Sequence, residues 1–373
     1  MIKAPTMTTQ PQVRDFTAPR SSEPQVETGL HGAADLLIAL WLVDGCDEMT
    51  QSLEEYGLGA DWFARFAESL SSETRSIVEH VGSGHVWISA MSILDGMPDG
   101  STVEDFIAHV ASMDPSDLRL TLLSMKEADS SEYDRLAPAA AAGDQQAVAE
   151  LMALPVVLEH QRWADSMRLL LELEPSETTD LLVGAMRGVH ADVFAAHETE
   201  FRPILERDIS AKRTMAERIS TERFVELATN GISIAKQGYR RPILLIPTIV
   251  GRPWNIFTES SSRMIIAYPV ADEYMQADPD APPTWLIKTY KALGDERRLR
   301  ILRRLSRGPA SLHELTDELD VSKSTLHHHM MLLRAAGLVK ILIGADKEYA
   351  LREDIVPETT AVLQAYIDNT GGT

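Results

Sequence analysis

The stretch from Tyr290 to Leu351 reads YKALGDERRLRILRRLSRGPASLHELTDELDVSKSTLHHHMMLLRAAGLVKILIGADKEYAL, and it decides the fold. Three helix patterns are followed by two short strand patterns. Asp295 is placed to cap a helix carrying Leu299, Ile301, Leu302 and Leu305, which Gly308 and Pro309 end. Ser311 starts a second helix with Glu314 three residues on, the spacing at which the two side chains satisfy each other's backbone N–H groups. Val321 and Ser322 form the turn, with Ser322 as N-cap of a third helix. In that helix Leu326, Met330 and Leu333 fall at i, i+4 and i+7 on one apolar face, and Lys323, Ser324, His327 and His328 take the other. Gly337 stands where a left-handed residue stops a helix. Val339–Ile343 and Glu348–Leu351 then read as two strands joined through Gly344, Ala345, Asp346 and Lys347, a hairpin with a basic tip.

Short helix, tight turn, polar-faced helix and basic hairpin form the pattern of a winged helix-turn-helix, whose recognition helix fits the major groove of DNA. The expected DNA-contacting residues are Ser322, Lys323, Ser324, Thr325, His327, His328 and Lys347. Lys323 and Ser324 lie in the first turn, near backbone phosphates. Thr325, His327 and His328 face base edges or nearby phosphates, since an imidazole can donate to guanine N7 or O6 or lie against a thymine methyl. Lys347 reaches phosphate or the minor groove, and His329 lies toward the packed side. Adjacent helical residues point about 100° apart, so His327, His328 and His329 cannot chelate one ion, and neither a metal nor a cofactor is expected.

The stretch resembles the arsenical-repressor (ArsR/SmtB) class of winged-helix regulators. The resemblance rests on Leu293–Asp295, Arg298–Leu302, Glu314 and Leu315, Ser322–Met330, and Leu333–Val339, and covers only the C-terminal part of the chain. It implies DNA binding, a homodimer formed through the domain's first and last helices, and repression. Metal-sensing members carry a cysteine pair on the helix before the recognition helix. About those positions this chain has Ser311 and His313, and its one cysteine is Cys46. A second metal site of the family uses Asp and His on the last helix, and residues 356–368 hold no histidine. The resemblance therefore does not extend to metal sensing.

The net charge of −21 over 373 residues looks wrong for a DNA binder until it is divided. Thr284 to Arg352 holds 13 Lys and Arg against 8 Asp and Glu, a net of +5, so the remainder carries −26. Phosphate attracts the first part and repels the second. Arg297, Arg298, Arg300, Arg303, Arg304 and Arg307 read equally well as a solvated helix face. One cysteine leaves no internal disulfide, and no apolar run is long enough to cross a bilayer, so a cytoplasmic protein without membrane contact is expected.

The expected fold class is mainly α (α+β): a helical N-terminal body with a small β element, followed by the C-terminal winged helix-turn-helix domain. Residues 1–27 are polar and proline-containing and read as a disordered tail. Residues 28–230 form the helical body, expected to sense a signal or dimerise. It includes a helix from Gly29 to Val43, one capped by Ser101 with Glu104, and a long one from Thr178 to Asn230 broken at Pro203. Residues 231–271 form the β element, with strands at Ile232–Ala235, Pro242–Thr248 and Arg263–Pro269. Residues 272–283 are an acidic, proline-rich linker, and 284–370 are the DNA-binding domain, with Val362, Leu363, Tyr366 and Ile367 in a stripe on its last helix.

Catalysis finds little support. No HExxH, P-loop, GxGxxG or GxSxG motif occurs, and Gly82-Ser83-Gly84 lacks the third glycine. His190 and His197 share a helix face without a third ligand, and Trp87, Trp163 and Trp254 could line a pocket or simply fill the core. The leading expectation is a homodimeric, non-enzymatic DNA-binding regulator, a repressor by resemblance, with a small-molecule effector bound in the body. The alternative is an enzyme or metabolite-binding protein with an appended DNA-binding domain.

Overall fold

A computed structural model describes residues 24–43, 53–81, 85–123, 131–234, 241–275, 281–343 and 347–368. The expectations for residues 1–23, Cys46, Gly82-Ser83-Gly84, part of the linker and the hairpin tip at 344–346 lie outside them. The fold is mainly helical, with two small sheets and the helix-turn-helix at its C-terminal end.

The body wraps around the helix Ala33–Val43, AADLLIALWLV, which is buried on nearly every side. A helix apolar all round must be covered all round, and the helices 85–90 and 103–112 are among those that pack on it. It starts at Ala33 rather than Gly29, because the preceding residues are held extended. The Leu30 N–H donates to Asp99 and the Gly32 N–H to the Ser101 carbonyl. Thr102 with Asp105, not Ser101 with Glu104, forms the capping box of the helix Val103–Ser112. The Ser101 hydroxyl is committed to the Pro98 carbonyl. Pro203 breaks nothing: it lies inside the helix Ala195–Ala216, and the irregularity upstream is a single π turn at His190–Phe194.

Strand β1 (Val26–Thr28) pairs in parallel with β3 (Ile243–Thr248), which pairs in parallel with β5 (Met264–Pro269). Strand β4 (Ile256–Glu259) closes the edge antiparallel to β5, giving the order β1-β3-β5-β4. The end of the expected tail is therefore a strand. All six residues of β3 are buried; β5 pairs with all six and β1 with the first three. The whole helical body is the crossover between β1 and β3.

This sheet is a partition. Leu244, Ile246, Ile265 and Ala267 face the body core, while Ile243, Leu245, Met264, Ile266 and Tyr268 face a second core shared with the winged helix. Burial on both faces explains why β3 and β5 read as near-continuous apolar runs. Asp35 fastens the central helix to this layer. Its carboxylate accepts from the Thr248 hydroxyl and from the Ile249 and Val250 N–H groups at 3.0 and 2.9 Å.

Strand β2 (Ile232–Ile234) does not join this sheet. It runs parallel to β6 (Val339–Ile343), which pairs antiparallel with β7 (Lys347–Leu351). The helix Thr221–Ala228 and β2 thus complete the wing's sheet and core, with Phe224 and Val225 in the same cluster as Ile301, Leu326 and Leu333. Nor is 272–283 a plain linker. Asp272–Met275 forms a helical turn, and Asp272 pairs with Arg252 and accepts the Trp285 N–H. Among the described residues no helix is long and apolar enough to cross a membrane.

Candidate nucleic-acid interface

The helices of the C-terminal domain form where their caps place them. Asp295 accepts the Arg298 N–H at the start of Glu296–Leu305. Ser311 and Glu314 form the reciprocal box at the start of Leu312–Leu319. Ser322 accepts the Thr325 N–H at 3.2 Å and holds the start of the recognition helix, Lys323–Ala335. Gly337, at φ +68°, turns the chain into β6. A Cβ there would meet Arg352 and Asn230 at 3.0 Å, so only glycine fits.

Leu326 and Leu333 are fully buried and Met330 nearly so, fixing one side of the recognition helix against the domain core. Ser322, Lys323, Ser324 and His328 are exposed, and Thr325 and His327 are half-buried. The side chains of Ser322, Ser324 and Thr325 share hydrogen bonds, Ser322 to Ser324 at 3.1 Å and Ser322 to Thr325 at 2.8 Å, which sets them out along the first turn. The positive end of the helix dipole and unpaired N–H groups lie there too, a ready site for phosphate.

His327 marks the centre of a basic patch. Its pKa is pushed below 6.5, first by burial and then by Arg334, Lys347, His328 and Lys323 around it. Lys347 is the first residue of β7 rather than part of the hairpin tip, and its ammonium lies 5.9 Å from the Tyr349 ring. The wing thus delivers a cation to the recognition helix's polar face. Arg334, at i+7 from His327, also acts on it, but sits in the helix's last turn, desolvated beside Tyr349 and not exposed with the first-turn residues. His329 is buried near Asp295 and Arg298, off the patch, and its pKa is likewise held down by burial.

The arginines of Glu296–Leu305 divide. Arg304 binds Glu318 with two N–H groups and braces the helix against Leu312–Leu319. Arg298 donates to the Ala292 and Lys291 carbonyls, and Arg300 pairs with Glu296. Arg297, Arg303 and Arg307 are exposed.

The far half of the recognition helix meets the body. Met331 is buried in the body's apolar cluster, Ala335 packs on it, and the charge of His328 lies close enough to Glu55 to act on its carboxyl. The first turn stays open and the later turns are covered, which suits a motif whose N-terminal residues reach the bases.

Elsewhere His190 bonds Glu198 at 3.1 Å, and His197 stacks on Phe201 and lies tilted against Trp62. Trp87, Trp163 and Trp254 are core residues of the body. Among the described residues no group of three or more His, Cys, Asp or Glu is placed to hold a metal ion.

A family model described as a helix-turn-helix domain matches residues 293–341. Neither the curated proteins nor the solved structures contain a match to the chain. The matched span begins just before the Asp295 cap and ends inside β6. The chain therefore carries a C-terminal helix-turn-helix domain of the kind found in DNA-binding regulators.

Proposed function

We propose that this protein is a sequence-specific transcriptional regulator of the arsenical-repressor type, acting as a homodimer and as a repressor. The observation that carries the reading is an exposed, capped helix N-terminus bearing Lys323, with His327 just behind it and Lys347 of the wing close enough to act on that histidine. Ser322, Lys323, Ser324 and Lys347 bind phosphate and set the register, while Thr325, His327 and His328 read base edges. The protein acts by binding and has no chemistry of its own.

Exposed apolar side chains support the dimer. Ile287 and Tyr290 lie on the first helix of the domain, and Val356, Tyr366 and Ile367 on the last, which packs beside it. An apolar surface shared by two neighbouring helices is what a two-fold partner covers. Two such domains would place recognition helices in successive major grooves, about 34 Å apart. The helical body, residues 28–230, carries the sensing role, and its signal is not a metal.

The test is enrichment of genomic fragments by the purified full-length protein at moderate salt. Recovery of a small set of fragments sharing an inverted repeat is expected. Recovery of random DNA, or of none, refutes sequence-specific recognition by the protein on its own.

A further inference from the structure

Where the body, the partition sheet and the winged helix meet, they line a partly open cavity of about 250 Å³. The volume is at the small end for ligand sites. Its cations come from four separate segments: Lys212 from the helix Ala195–Ala216, Arg252 from the turn after β3, Lys288 from the helix Thr284–Leu293, and Arg352 from the end of β7. Trp285 and Ile355 supply an apolar wall. Ala335 and Ala336, at the end of the recognition helix, line it as well.

The cations are unequally satisfied. Lys212 is 3.4 Å from the buried Asp208, and Arg252 pairs with Asp272. Among the described residues Arg352 hydrogen-bonds only neutral oxygens, of Asn230 at 2.7 Å and the Gly337 carbonyl at 3.3 Å, with the carboxylates of Glu226, Glu358 and Asp354 acting on it without a hydrogen bond. Lys288, half-buried, has neither a hydrogen bond nor an ion pair among the described residues. Burial and the neighbouring Arg252 push its pKa down to about 8, against the pull of Glu55. Of the carboxylates lining the cavity, Asp272 is spent on Arg252 and Glu358 is exposed. A desolvated ammonium beside a guanidinium is costly unless a negative group completes it.

We propose that this cavity is the effector site and that it takes a small organic anion, a carboxylate or phosphate ester with an aromatic or apolar body. Lys288 and Arg352 hold the anionic group, and Trp285 packs on the rest. This rests on the regulatory reading above and adds the place and the chemistry of the signal. Because the site spans the body and the recognition helix's C-terminal end, an anion there ties the two together. It holds Met331 on the body's core and keeps Glu55 beside His328, where it opposes the approach of phosphate. Filling the cavity therefore weakens DNA binding.

Phenyl phosphate serves as the probe, with benzoate as the carboxylate and phenol as the uncharged comparison. Full-length protein is titrated while tryptophan fluorescence is followed. Saturable change with phenyl phosphate or benzoate but not phenol, absent in Trp285→Phe and at least tenfold weaker in Lys288→Met, is the expected result. No saturable change with either anion, or equal affinity in Lys288→Met, overturns the site. Lys288→Arg keeps the charge and should retain binding, so loss in Lys288→Met with retention in Lys288→Arg excludes mere misfolding, and loss in both overturns the assignment to charge. In a separate arm, saturating probe should lower affinity for an enriched DNA fragment at least fivefold. An unchanged or raised affinity overturns the coupling. Failure to bind any DNA without probe counts against the regulatory reading and leaves the fluorescence result standing.

Discussion

Lys323 occupies the first position of the recognition helix, where a cation faces the positive end of the helix dipole. That placement costs the fold about 0.3–1 kcal/mol, and the residue is exposed with no apolar burial to offset it. Lys323→Ala should therefore leave the melting temperature unchanged or slightly raise it. Its effect on DNA should be opposite in sign. Each phosphate contact contributes about 0.9 to the slope of log K against log salt. A homodimer presents the residue twice, so the slope should flatten by about 1.8. Between 50 and 200 mM salt, a fourfold change, the wild type's advantage should then shrink by about twelvefold, against about 3.5-fold for a single contact. Fluorescence anisotropy on a labelled operator fragment across four salt concentrations, with calorimetry of the free protein, measures both. An unchanged slope removes Lys323 from the phosphate interface, and a lowered melting temperature means that its role is structural.

Asp35 accepts three hydrogen bonds, yet burial lifts its pKa from 3.8 to about 6. A carboxyl with a raised folded pKa favours the fold at low pH, and that contribution is lost as pH rises from 3.8 through 6, about 3 kcal/mol for roughly two units. The stability difference between Asp35→Asn and wild type, followed by urea melts from pH 4 to 7, should shift in the variant's favour as pH rises. A difference independent of pH would mean that Asp35 titrates normally. Gly188→Ala places a methyl 2.6 Å from Thr74 Oγ1 and should cost about 1–3 kcal/mol by overpacking. Adding Thr74→Ala should recover most of it, and additivity of the two losses in thermal melts would disprove the clash. A fragment of residues 284–373 lacks β2 and the helix Thr221–Ala228, leaving the β6 edge at Ile341 unpaired, so it should melt less cooperatively than the same region does within the full-length protein. Equal cooperativity would mean that the wing needs no support from the body side.

The helix-turn-helix was legible because its signals are local. Asp295, Ser311 and Ser322 cap the helices they were expected to cap, and the 3.6-residue pattern of Leu326, Met330 and Leu333 points inward as read. What sequence reading missed depends on pairing over distance. Val26–Thr28 looks like the end of a polar tail until Ile243–Leu245, more than two hundred residues later, supplies its partner. Ile232–Ile234 looks like part of a β element next to Ile243–Thr248, but its strand partner is Ile341–Ile343. Each is a strand of three residues, too short for its own pattern to name a partner, and in both cases the partner is distant in sequence. Arg334 was passed over for a different reason. Its surroundings depend on Tyr349 of β7, and no helical spacing encodes where the wing lies.

The most direct test of DNA reading is a footprint of wild type and His327→Ala on one enriched fragment at equal fractional occupancy. His327 lies on the recognition helix where the charges of Lys323 and Lys347 both act on it. The wild type should protect two half-sites one helical turn apart, and His327→Ala should lose discrimination at defined base pairs, about 1–3 kcal/mol at each, while keeping affinity for unrelated DNA. Equal weakening on operator and random DNA would make His327 a phosphate contact, and absence of any protected site with wild-type protein would contradict sequence recognition by this helix.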